Sequence, residues 1–206
     1  MTIYALKPRF QNLLRPVVAR LAAGGATANQ VTLAAALGSV AVGAGVAWGA
    51  AYRPVFLAIP LWLFVRMALN AIDGMLAREF AQKSRLGFYL NEIADVVSDA
   101  ALYAPFALIA PFGPLGIGSL IVLSVLSEFA GVLGAAAGAS RRYEGPMGKS
   151  DRAAVFGALG LWIGVSAPLP DWAGWGVAVI AVLLALTVVN RVRAGLVEAQ
   201  RVGVPQ

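Results

Sequence analysis

The 206-residue chain contains no cysteine and no histidine. The first absence excludes disulfides and thiol nucleophiles, and the second excludes imidazole bases and His-ligated zinc or haem. Any chemistry must rest on Asp, Glu, Asn, Ser, Tyr, Lys or Arg, whose oxygen donors suit hard-metal sites. Charge is also scarce. Only 13% of residues are Asp, Glu, Lys or Arg, where a soluble domain carries roughly 25%. Hydrophobic residues make up 60% of the chain and the mean hydropathy is +0.78. These values predict an all-α integral membrane protein.

The net charge of +6 is no nucleic-acid footprint, because the basic residues stand singly between apolar runs. The first residues mix charge and bulk instead of forming an apolar core, so no cleavable leader is expected. Phe10, Leu13, Leu14, Val17, Val18 and Leu21 recur at helical spacing. They predict an amphipathic interfacial helix over residues 1–24, with Lys7, Arg9, Arg15 and Arg20 at headgroup level. Gly24 and Gly25 stop it, and Thr27 or Asn29 can cap the helix that follows. Six transmembrane spans are expected, at about 31–50, 52–75, 86–110, 114–138, 153–169 and 172–192, with Pro60 kinking the second. A transmembrane domain over 25–195 and a cytoplasmic tail over 196–206 complete the division. Fourteen of the sixteen basic residues fall in the N-terminal segment, the 76–85 and 139–152 loops and the C-terminal end. Those segments share one side of the membrane, so both termini are expected in the cytoplasm.

The stretch from Arg66 to Ala100 departs from this pattern. It holds five of the ten carboxylates: Asp73, Glu79, Glu92, Asp95 and Asp99. Three of these fall inside the third predicted span, where each charge costs about 2.5–3.5 kcal/mol at a helix centre and demands a partner. Arg66, Asn70, Asp73 and Ala77 share one helical face, and Asn91, Glu92, Asp95 and Asp99 share an arc of the next helix. Antiparallel packing turns the two stripes toward each other, offering amide and carboxylate oxygens to a divalent cation. Gly74, Ala77 and Gly87 leave space beside them. Arg141, Arg142, Lys149 and Arg152 surround the Gly-Pro turn of the 139–152 loop and suggest a phosphate-binding mouth. That loop favours a phosphorylated or anionic acceptor for whatever reaction the site performs. Arg66, on the face of Asn70 and Asp73, could also contact phosphate, although it and Glu128 read first as a structural pairing.

The run Asp73-Gly74-x2-Ala77-Arg78-x8-Gly87-x3-Asn91-x3-Asp95 resembles the signature D-x2-D-G-x2-A-R-x8-G-x3-D-x3-D of the CDP-alcohol phosphatidyltransferases. Thr27-Ala28-Asn29-Gln30-Val31-Thr32 resembles that family's T-P-N-x2-T stretch, and Gly148-Lys149 its later loop motif. The resemblance implies a homodimeric membrane enzyme that moves a phosphatidyl group from a CDP-linked lipid to a polar alcohol, releasing CMP. By position, Asn70, Asp73, Asn91 and Asp95 would hold one or two Mg²⁺ or Mn²⁺ ions, with Asp95 also the general base. Asn29, Thr32, Gly74, Ala77, Arg78, Ser84 and Gly87 would hold the CDP moiety.

The family has Asp where this chain has Asn70 and Asn91. Three consequences compete: Glu92 and Asp99 restore the missing charge, a second metal arrives with the nucleotide, or the protein is a degenerate lipid binder. An ion or proton transporter is a further alternative. It is weakened by the cluster's place near the cytoplasmic end of its helices and by the lack of an internal repeat.

Overall fold

The computed structural model describes residues 3–166 and 168–202. The side chains of Lys7 and Arg9, expected at headgroup level, lie outside the described residues, as do positions 203–206 of the tail. Among the described residues seven α-helices follow in order: α1 (Ile3–Ala23), α2 (Ala28–Trp48), α3 (Ala58–Glu79), α4 (Arg85–Tyr103), α5 (Gly113–Ala136), α6 (Lys149–Val165) and α7 (Trp175–Val202). Single 3-10 turns at Arg53–Leu57, Ala104–Leu108 and Asp171–Gly174 join three of them to their neighbours. No strand occurs among the described residues.

Among the described residues four segments are long and apolar enough to cross a bilayer: Ala28–Trp48, Arg53–Glu79, Gly113–Ala136 and Asp171–Arg201. The other two expected spans have clear reasons for missing that standard. α4 carries Arg85, Glu92, Asp95 and Asp99, and α6 has only 17 residues, about 25 Å at 1.5 Å per residue. Large apolar side chains such as Leu37, Leu61 and Leu115 project outward, 67–89% exposed, which is tolerable only against lipid. The expected kink at Pro60 is corrected. Pro60 lies in the first turn of α3, where a backbone N–H has no helical partner to lose.

Local chemistry sets the helix starts. Thr27 accepts from the Gln30 amide and Gln30 returns a bond to the Thr27 amide, a capping box that opens α2. Ser84 caps α4 by accepting from the Gly87 amide at 2.9 Å. α1 lies against α3: Val18 is fully buried with Ile72, Met75 and Leu76, and Arg15 pairs with Glu79 at 3.3 Å. The main core joins the remaining helices through Phe56, Phe106, Phe156 and Tyr103, with the Tyr103 and Phe156 rings stacked at 3.7 Å.

α2 and α4 approach closely at Gly43, where a Cβ would meet the Ala101 carbonyl oxygen at 2.2 Å. Gly43→Ala is therefore expected to cost about 1–3 kcal/mol through forced separation of the two helices. Thermal unfolding in detergent reads this, and an unchanged midpoint would show that α2 and α4 part freely.

Candidate active site

A cleft of about 870 Å³ is lined by the start of α2, the C-terminal half of α3, the 82–84 connection, the start of α4, α5 at Glu128, the loop before α6 with the first turn of α6, and α7 at Arg191. Most of the residues singled out from the sequence line it. α2 contributes Asn29 and Thr32; α3 contributes Asn70, Asp73, Gly74, Ala77 and Arg78; α4 and its cap contribute Ser84, Gly87, Asn91 and Asp95. Arg141 and Lys149 complete the opposite wall. Residues four and three apart on α3 and on α4 face the same way, and the short 80–84 connection folds one stripe onto the other.

Within the cleft, the Thr32 hydroxyl donates to Asp73 at 2.9 Å. Asp95 accepts from Arg66 at 3.3 Å, and the Lys149 ammonium also contacts its carboxylate. At Gly87 a Cβ would come within 2.9 Å of the Asn29 side-chain oxygen, so only glycine leaves that corner open. Ser84 borders the cleft, but its hydroxyl is already engaged as the α4 cap.

Five expectations change. Arg66 is only 3% exposed and does not line the cleft; it holds Asp99 at 2.5 Å and Asp95 at 3.3 Å. Arg152, 1% exposed, pairs with Asp99 at 3.0 Å and Glu128 at 2.9 Å, behind the cleft wall. Arg142 is taken up by Glu144 and Glu198 and fastens the loop to α7. None of the three is free for a phosphate. Glu92 and Asp99 do not supply spare negative charge either. Glu92 pairs with Arg141 at 2.7 Å, and Asp99 is shared by Arg66 and Arg152. A charged residue in an apolar helix is stable only with a partner, and these carboxylates already serve arginines.

Glu128 is the hub of this network. It accepts from Arg152 and Arg141 and lies 3.4 Å from Arg191. The sequence marks Glu128 as structural and does not point to its place in the cleft lining, nor to Gln82, Lys83, Tyr143 and Arg191 there. Arg191 sits at the end of the last apolar run, where a lone arginine looks like a topology signal. Nothing local distinguishes it. In the loop, burial acts against the charged Arg141, but Tyr143 and Glu92 beside it outweigh that and hold its pKa above the usual arginine value. Slight burial likewise opposes the charged Glu144 carboxylate, yet the Arg142 guanidinium keeps its pKa below the usual range.

Asn70, Asp73, Asn91 and Asp95 present only oxygen donors, which fits Mg²⁺ or Mn²⁺ chemically. The fit is to a weakly charged site. Among the described residues no three acidic or imidazole groups gather to hold a metal, because amides stand at two of the four positions.

A family model for CDP-alcohol phosphatidyltransferase matches residues 26–189. The chain belongs to the CDP-alcohol phosphatidyltransferase family. The match includes α2 to α6, the first half of α7 and every cleft-lining residue except Arg191. Inner membrane protein YnbA of Escherichia coli is 44% identical over 98% of this chain and all of its own length. Among solved structures, phosphatidylinositol phosphate synthase of Mycobacterium tuberculosis shares the phosphatidyltransferase fold. Its complex with manganese and citrate superposes with a TM-score of 0.73 at 22% identity, covering 88% of each chain. Its CDP-DAG-bound form gives 0.71 at 21% identity, covering 87% of this chain and 92% of that one.

Proposed function

We propose that this protein is a multi-pass inner-membrane enzyme that transfers a phosphatidyl group from a CDP-linked lipid, such as CDP-diacylglycerol, to a polar alcohol and releases CMP. The observation that carries the reading is the single cleft into which the signature residues of α3 and α4 converge with the Asn29–Thr32 stretch of α2. In the reaction, the acceptor hydroxyl oxygen attacks the phosphorus that bears the lipid, and the bond from that phosphorus to the CMP oxygen breaks. The hydroxyl proton passes to the Asp95 carboxylate. Arg66 holds that carboxylate from behind, while Lys149 lies on its cleft side. Gly74, Ala77 and Gly87 admit the nucleotide, with Asn29, Thr32, Ser84 and Arg78 around it. Asn70, Asp73, Asn91 and Asp95 would hold the Mg²⁺ or Mn²⁺ ions, which on binding neutralise the diphosphate and polarise its phosphorus.

The charged α4 and the short α6 count as spans in this reading, giving six with α1 at the interface. Their outward faces support this, because Leu86, Tyr89, Ile93 and Val97 on α4 and Leu161 and Val165 on α6 are exposed apolar side chains, opposite the polar stripe that α4 turns inward. Arg78, Lys83, Arg141 and Lys149 around the cleft mouth support a cytoplasmic site, and both termini fall on that side. A homodimer is part of the same proposal. The domain division of interfacial helix, 25–195 transmembrane unit and tail goes with it, although α7 continues as helix through the start of that tail.

The test is CMP release from CDP-diacylglycerol by the purified protein with Mg²⁺ or Mn²⁺ and a pool of polar alcohols. No release with the donor bound would favour the degenerate lipid-binding reading. Restoring Asn70→Asp and Asn91→Asp adds two negative charges, so Mn²⁺ affinity is expected to rise on the order of tenfold or more, since ligand charge count tunes it. Titration of the metal reads this, and an unchanged affinity would separate both positions from the metal.

A further inference from the structure

Resting on the transferase reading, we infer that the acceptor is an alcohol without net charge and without phosphate. This reverses what the basic loop alone suggests. The observation is that the cations on the wall opposite α2, α3 and α4 are already neutralised. Arg141 is held by Glu92 at 2.7 Å and Glu128 at 3.2 Å. Arg191 donates to the Ser127 carbonyl at 2.5 Å and lies 3.4 Å from Glu128. Lys149 is on Asp95. Behind them, Arg66 and Arg152 share Asp99. Five cations thus face Glu92, Glu128, Asp95 and Asp99, with Asp73 a fifth carboxylate across the cleft. The balance is five to five.

Among the described residues, the cleft cations outside an ion pair are Arg78 and Lys83. Both are exposed and stand beside Gly74 and Ser84, where the donor's nucleotide is assigned above. A phosphorylated acceptor would bring two further negative charges to the other end. To pair it, Arg141 would have to leave Glu92, whose side chain is 15% exposed and which has no other cation among the described residues, or Lys149 would have to leave Asp95. A buried carboxylate stripped of its partner is strongly destabilising. An uncharged polyol makes no such demand. The hydrogen bonds of Arg141 run from Nη2 and those of Arg191 from Nη1, and a neutral hydroxyl oxygen can accept from the other terminal nitrogen of either without breaking an ion pair.

The experiment uses the full-length protein with CDP-diacylglycerol and two matched acceptor pairs, glycerol against glycerol 3-phosphate and inositol against inositol 1-phosphate. CMP release is expected to be at least about tenfold faster with the uncharged member of a pair. Equal or faster release with the phosphorylated member overturns the assignment. Release with none of the four overturns the transferase reading beneath it, a result distinct from release with the phosphorylated members alone. Equilibrium dialysis against radiolabelled inorganic phosphate, with CMP present, gives a readout independent of turnover. The wild type is expected to show no saturable site, whereas Glu92→Gln or Glu128→Gln removes one of the two carboxylates on Arg141 and gains one. Glu92→Gln serves if the more buried Glu128 variant does not fold. Saturable phosphate binding by the wild type overturns the inference.

Discussion

Asp95→Asn is expected to lower CMP release by about 10²- to 10⁴-fold, the range that a positioned general base contributes. The amide keeps the shape of the carboxylate but cannot take the acceptor's proton. Folding should survive, because Arg66 retains Asp99 at 2.5 Å and Lys149 is one-third exposed, able to turn to water. The decisive comparison sets CMP release beside thermal stability in the same detergent. A variant that is stable, binds CDP-diacylglycerol and turns over normally would remove Asp95 from the base role. A variant that loses stability and activity together would instead make Asp95 a structural ion-pair partner.

The second large effect concerns stability. Asp99 is 4% exposed, accepts from Arg66 at 2.5 Å and from Arg152 at 3.0 Å, and thereby ties α3, α4 and α6 together. Asp99→Ala would leave two buried guanidinium groups short of charge, a change worth about 3–5 kcal/mol when a buried pair is broken from one side. The thermal midpoint should fall steeply. Raising the salt concentration should rescue little, since buried pairs are poorly screened. Combining Asp99→Leu with Arg152→Leu removes charge from both sides and should recover part of the loss. A midpoint unmoved by Asp99→Ala would mean that water reaches Arg66 and Arg152 and solvates them in place of the carboxylate.

The sequence by itself determined the fold class, the order of the helices and the half of the site carried by α3 and α4. Hydropathy and the 3.6-residue period are local properties, and the signature spacing fixes which side chains share a face before any helix packs on another. The two asparagines were equally plain, because each is a single substitution in a fixed register. Tertiary structure decided what the charges are for. Arg66, Arg142 and Arg152 look in the sequence like the candidate phosphate ligands Arg141 and Lys149, yet the first three are sequestered by carboxylates up to 56 residues away in the chain. Arg191 looks like a topology marker and lines the cleft instead. An ion pair depends on distance in space and on the shared cost of burying both partners, and neither quantity is written in local spacing. For the same reason the positive loop suggested an anionic acceptor, whereas the packed helices, by bringing Glu92 and Glu128 against Arg141, take up that arginine's charge.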